Sequence, residues 1–148
     1  MRDLRNSVRG KYSRNRRGVA LVEFAIVIPL VFLFTFGLIE MARLVMVQQA
    51  LVNAAREGAR LAALTTTTDP ATVDTAVRTF LSSSITDAED VNTVGVSVTP
   101  SSLSGMASNT PVTVAVNVNF SDVTWMPGDF LGLLGNVALH STSTMNRE

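Results

Sequence analysis

The chain has 148 residues, 47% of them hydrophobic, with twelve basic and twelve acidic side chains, one histidine and no cysteine. That excludes disulfides, thiolate nucleophiles and cysteine-linked lipid anchors, and leaves a transition-metal site only carboxylates, which show no ligand spacing. The zero net charge hides a split: residues 1–18 carry seven basic groups against Asp3, whereas residues 19–148 carry eleven acidic groups against five basic ones.

After the basic leader, Arg16-Arg17-Gly18 opens an apolar run in which Glu23 is the one ionisable side chain between Val19 and Ile39. At 1.5 Å per residue, 19–39 is about 31 Å long, the thickness of a bilayer's hydrocarbon core. Few soluble helices are this apolar on every face. A secretory signal peptide is the rival reading, but the run exceeds a usual h-region and no small-x-small site follows Ile39-Glu40-Met41. A signal-anchor is expected. With seven Lys/Arg before the span and Arg43, Arg56 and Arg60 after it, the positive-inside rule keeps the leader cytoplasmic and the remainder extracytoplasmic. Pro29 withholds a backbone donor from Ala25 and predicts a bend, with Gly37 a second weak point. Glu23 is the anomaly, because a charge in hydrocarbon costs about 2.5–3.5 kcal/mol on insertion scales.

Beyond Glu40 the helical pattern becomes amphipathic. Leu44, Val47, Leu51, Ala54, Gly58 and Leu61 recur at three/four spacing and mark the packing face, while Gln49, Asn53, Arg56 and Arg60 line another. Glu57 is placed to reach Arg60 at i+3. Ala54 and Gly58 form a small-x-x-x-small pair that admits a close neighbour, either the chain's own sheet or another subunit's helix. One helix is predicted over Val19–Leu64. Thr65–Thr68 breaks it, and Asp69-Pro70 reads as N-cap and first-turn proline of a second helix with Val73, Ala76, Val77, Phe80 and Leu81 as its apolar stripe.

The period then switches to two. Val94, Val96 and Val98, and later Val112, Val114, Val116, Val118 and Phe120, alternate as antiparallel strands over 94–99 and 111–120. Ser121–Gly135 reads as a loop or short helical turn carrying Trp125, Met126, Phe130, Leu131, Leu133 and Leu134. A third strand is expected over 136–146, with Val137 and Leu139 on one side and Ala138 and His140 on the other. The fold class is α+β: a long, partly transmembrane helix on a small antiparallel sheet, with one extra helix.

Catalytic chemistry finds little purchase. His140 stands alone in a strand, and Asp87, Glu89 and Asp90 lack EF-hand spacing, so a solvated acidic turn is the simpler reading. Asn119-Phe120-Ser121 matches a glycosylation acceptor, a pattern frequent by chance. The basic leader beside a membrane span serves topology and anionic-lipid attraction more simply than nucleic acid. No enzyme activity, cofactor, metal or nucleic-acid partner is expected.

Taken together, Arg17-Gly18-Val19-Ala20-Leu21-Val22-Glu23-Phe24-Ala25-Ile26-Val27-Ile28-Pro29-Leu30, Phe36-Gly37-Leu38-Ile39-Glu40, Arg43, Gln48-Gln49-Ala50-Leu51 and Asn53-Ala54-Ala55-Arg56-Glu57-Gly58-Ala59-Arg60 resemble the TadE-like pilus-assembly pseudopilins of the tight-adherence (Flp pilus) system. The Glu-Phe pair, the proline and Ala-Ala-Arg-Glu-Gly-Ala-Arg are hallmarks of that family. The C-terminal half is similar only in its strand pattern and its Ser-Thr-Met-Asn-Arg-Glu ending. The resemblance implies cleavage by a prepilin peptidase between Gly18 and Val19, which would make Glu23 the fifth residue, followed by Phe24. It implies an assembly role in which Glu23 pairs with a neighbouring subunit's N-terminal amine. It also implies other pilin subunits and an inner-membrane assembly platform as partners, besides the lipid bilayer. A minor pilin or pseudopilin acting in pilus assembly or initiation is expected, in the inner membrane and open to incorporation into a surface pilus. The alternative is an uncleaved, membrane-anchored extracytoplasmic binding module. The expected organisation is a leader at 1–18, a span at 19–39, an amphipathic continuation at 40–64 and an α+β domain at 65–148.

Overall fold

A computed structural model describes residues 15–85, 90–123 and 137–148. Residues 1–14 of the leader, Asp87 and Glu89 of the acidic turn, and the apolar loop carrying Trp125, Met126, Phe130, Leu131, Leu133 and Leu134 lie outside the described residues. The elements run α1 (Asn15–Ala63), α2 (Pro70–Ser84), β1 (Gly95–Thr99), β2 (Pro111–Asn119) and β3 (Ala138–Asn146). Short 3-10 turns occupy Asp90–Thr93 and Phe120–Asp122. This is the α+β arrangement expected from the sequence.

α1 is continuous through Pro29 and Gly37 and starts at Asn15, four residues ahead of the expected Val19. Gly18 therefore sits inside the helix. α1 stops at Ala63, where the threonine run begins, and Thr67 donates a backbone bond to Leu64 across the ensuing turn. α2 begins as its residues dictate: the Asp69 carboxylate accepts from the Ala71 N–H at 2.9 Å, and Pro70 occupies a first-turn position where a missing donor costs nothing. Its Val73, Val77 and Leu81 are fully buried.

The sheet has the order β1-β2-β3, antiparallel throughout. Val96 faces Val116 and Val98 faces Val114, while Val112, Val114, Val116 and Val118 face Met145, Ser143, Ser141 and Leu139 of β3. One face is thus valine-rich and buried, and the other carries Thr113, Asn117, His140 and Thr144 to solvent, with a 2.8 Å hydroxyl contact between Thr113 and Thr144. The strand limits differ slightly from expectation. Phe120 leaves β2 for the 3-10 turn, its N–H donating to Val137 at 2.8 Å, so β3 begins at Ala138 and not at 136. Val94 is buried just before β1 and does not belong to it.

Two compact units divide the chain, Met1–Ile39 and Glu40–Glu148, with the boundary inside α1. In the second, Leu51, Ala54, Ala55, Ala59 and Ala62 of α1 join the buried face of α2, the β2 valines, Phe120 and Leu139 in one core. Each buried valine or leucine contributes about 1.5–3 kcal/mol relative to exposure. The alanines let α1 approach closely, and Gly58 shows how closely. A Cβ there would lie 2.6 Å from Val77 Cγ2 and 3.1 Å from Val114 Cγ1. The small-residue pair is therefore filled by the chain's own α2 and β2.

The last turn of α1 is closed by distant residues. Arg147, 5% exposed, donates from Nη1 to the Ala62 carbonyl and from Nη2 to the carbonyls of Thr65 and Thr67, at 3.1–3.3 Å. The Glu148 N–H bonds the Ala63 carbonyl at 3.0 Å. A helix leaves its final carbonyls without intrahelical donors, and a cation there also complements the macrodipole.

Candidate functional site

Within Gly18–Ile39 the sequence supplies helix formers and apolar side chains around the full circumference, and nearly all of them are exposed in the first unit. The one hydroxyl here is satisfied locally. Thr35 Oγ1 donates to the Val31 carbonyl at 2.8 Å, so its hydroxyl needs no solvent. Phe32 and Phe36, one turn apart, stack with centroids 6.1 Å apart. By length and composition, Gly18–Ala63 is a helix able to cross a membrane.

Glu23 is exposed on this helix, next to Phe24 and one turn from Val19 and Val27. Among the described residues no hydrogen bond or ion pair reaches its carboxylate. Measured from Val19, it lies about 6 Å along the helix axis. Gly18 is also exposed, with no atom within 4 Å of where a Cβ would stand.

On the packing face, Val47, Leu51, Ala54 and Gly58 are buried, and Leu44 and Leu61 are half-buried. The structure adds Ala50, Ala55, Ala59 and Ala62 to that face. Glu57 and Arg60 form a two-pronged ion pair, with Arg60 Nη2 and Nε at 2.7 and 2.9 Å from the carboxylate oxygens. The hydrogen bond from Arg60 holds the Glu57 carboxyl below its ordinary value.

Several residues at the base of this face carry roles that their residue types did not announce. Glu40 is 2% exposed and interacts within the chain. Arg43 Nε donates to the Val123 carbonyl at 2.8 Å, and Gln48 Nε2 to that of His140 at 3.1 Å. One signal was available: carrying the 44/47/51 periodicity back a single turn reaches Glu40. His140 itself is exposed. The described residues include no group of three or more His, Cys, Asp or Glu able to hold a metal ion.

With this geometry established, comparison with known families is informative. Residues 18–60 match the family model of TadE-like proteins. This stretch is TadE-like. The match runs from the exposed glycine, through the apolar helix and Glu23, to the Glu57–Arg60 pair, and so covers the membrane-length segment and the helical half of the packing interface. The match concerns that segment alone, and its apolar helix is long enough for membrane anchoring. No curated protein and no solved structure matches the chain.

Proposed function

We propose that this chain is a minor pilin or pseudopilin of a Tad/Flp-type pilus or secretion assembly, a structural component with no enzymatic activity. The leader lies in the cytoplasm, residues 19–39 cross the inner membrane, and the α+β unit lies outside. A prepilin peptidase removes the leader between Gly18 and Val19, and Glu23 then serves assembly by pairing with the N-terminal amine of an adjacent subunit. The partners are the peptidase, other pilin subunits and the inner-membrane assembly platform.

The observation that carries this reading is where the TadE-like match begins: at Gly18, the last residue of the basic leader and the first before the apolar run. Two physical points support it. A protease needs extended substrate, and here the junction lies in the first helical turns, where glycine lowers helix stability by about 1 kcal/mol relative to alanine. Cleavage would also remove the basic cluster, whose charge opposes withdrawal of the helix from the cytoplasmic face.

N-terminal sequencing of the membrane-fraction protein tests the proposal directly. Val19 as first residue is expected, and an uncleaved leader on all the protein would favour a permanently anchored binding module. Gly18→Leu should block cleavage. It should do so without harming the fold, because nothing lies within 4 Å of the added side chain's first atom and leucine is the better helix former. Gly18→Leu protein that still reaches mature size would refute the peptidase reading.

A further inference from the structure

The apolar run ends, by sequence, at Glu40. In the fold that carboxylate belongs to the core side of α1 and is 2% exposed. The opposite side of the same two turns remains apolar and open: Met41 is 54% exposed, Val45 50% and Met46 71%, with Ala42 exposed between them. The exposed polar residues of that side begin one turn later, at Gln49, and continue with Asn53, Arg56 and Arg60. Glu40 therefore interrupts the apolar composition of the helix without interrupting its outward apolar surface.

We propose that Met41, Ala42, Val45 and Met46 are immersed in the lipid interface, so that the bilayer boundary on the outward side of α1 falls between Met46 and Gln49 and not at Ile39. This rests on the membrane reading of 19–39 given above. Length supports lipid as the occupant. Measured along the helix from Val19, residue 39 lies at about 30 Å and residue 46 at about 40 Å. The first figure is the hydrocarbon thickness, and one headgroup region adds about 5–8 Å; at a helix tilt of about 30° residue 46 lies about 35 Å along the bilayer normal, inside the outer headgroup region. Chemistry agrees. Methionine and valine are uncharged, and no exposed charged side chain interrupts residues 41–46, since Arg43 is turned to the Val123 carbonyl. A small exposed apolar patch continuous with a hydrocarbon-length helix needs no other partner to be covered.

The absence of cysteine makes the test direct. Full-length single-cysteine variants Leu30→Cys, Met41→Cys, Val45→Cys, Met46→Cys and Asn53→Cys, each labelled with a bimane fluorophore, are reconstituted in phosphatidylcholine/phosphatidylglycerol vesicles. Two matched sets contain phospholipids brominated along the acyl chain, one near the carbonyl to report on the interface and one near the chain end to report on Leu30→Cys. Loss of fluorescence at positions 41, 45 and 46 in the brominated vesicles, with none at 53, is the expected result. Quenching at Leu30→Cys confined to that position overturns the proposal while leaving the span in place. No quenching even at Leu30→Cys refutes the membrane reading itself. Unquenched Met46→Cys that instead forms a disulfide dimer under mild oxidation identifies a second copy as the occupant, and overturns the proposal.

Discussion

Gly58→Ala is the sharpest probe of how the helical half of the TadE-like segment meets the rest of the fold. In an open helix this change gains about 1 kcal/mol, because alanine is the better helix former. Gly58 is not open. Its new Cβ would stand 2.6 Å from Val77 Cγ2, 3.1 Å from Val114 Cγ1 and 3.5 Å from Val73 Cγ1. The first distance is shorter than any carbon pair tolerates, and Val77 cannot yield by rotating, since a β-branched side chain in a helix has one strongly preferred χ1. Relief requires α1 to move away from α2 or β2, an overpacking cost of about 1–3 kcal/mol. The two effects oppose, and overpacking wins by about 1 kcal/mol on average. In full-length protein in detergent, followed by the unfolding of the sheet, this should lower Tm by roughly 4–8 °C. Gly37→Ala is the matched control, with nothing within 4 Å, and should be neutral or stabilising. Pairing Gly58→Ala with Val77→Ala removes the clashing methyl, so the double variant should be more stable than the sum of the two single effects. A Gly58→Ala protein more stable than the parent, or strictly additive with Val77→Ala, would refute the close-approach argument.

Three further outcomes follow from the same geometry. Arg147→Met removes every donor to the carbonyls of residues 62, 65 and 67 while keeping an apolar stem, and should cost about 2–3 kcal/mol; amide exchange over the last turn of α1 should quicken, and unchanged protection there would refute the capping role. The Arg60 hydrogen bond lowers the Glu57 carboxyl from its ordinary 4.5, so the stability it contributes is present above that value and lost as pH falls through the lower folded value. Arg60→Gln should raise the Glu57 midpoint in an NMR titration, and an unmoved midpoint would show the pair to be absent in solution. Glu23→Gln should insert into membranes at least as readily as the parent while losing co-purification with pilus components; parental piliation would show the carboxylate to be incidental.

Local chemistry made much of this fold legible. Asp69-Pro70 announced α2 because a capping carboxylate and a donor-free residue suit a helix start and little else. The β2 valines announced a half-buried strand because their period is two, and the structure sets them opposite Ser141, Ser143 and Leu139 of β3. Arg147 was not legible, because its acceptors lie 80 to 85 positions away and a lone arginine after a strand reads as solvated. Arg43 and Gln48 escaped for the same reason, each donating to a carbonyl brought near only by the fold. The partner of Ala54 and Gly58 stayed open at the sequence level, since small residues state that something approaches and not what. The apolar loop around Trp125 lies outside the described residues.

Glu40 and Glu23 pose the same electrostatic problem on one helix and meet it differently. A carboxylate next to apolar surface must be neutralised, paired or kept in water, because the penalty for an isolated ion in low dielectric exceeds any packing gain nearby. Glu40 lies where the amphipathic pattern begins, so the fold takes it into the second unit, where it is 2% exposed and interacts within the chain, although its Oε2 accepts no hydrogen bond. Glu23 has no such recourse, because every residue within a turn of it in the described chain is apolar or Gly18. Nothing in the folding of this unit requires an acid at position 23, and a glutamine would have served solubility and helix formation equally well. A charge that the fold neither uses nor satisfies is best explained by an encounter outside the chain. In our reading that encounter is with a cation that itself enters the membrane, which an N-terminal amine created by cleavage beside an apolar helix provides.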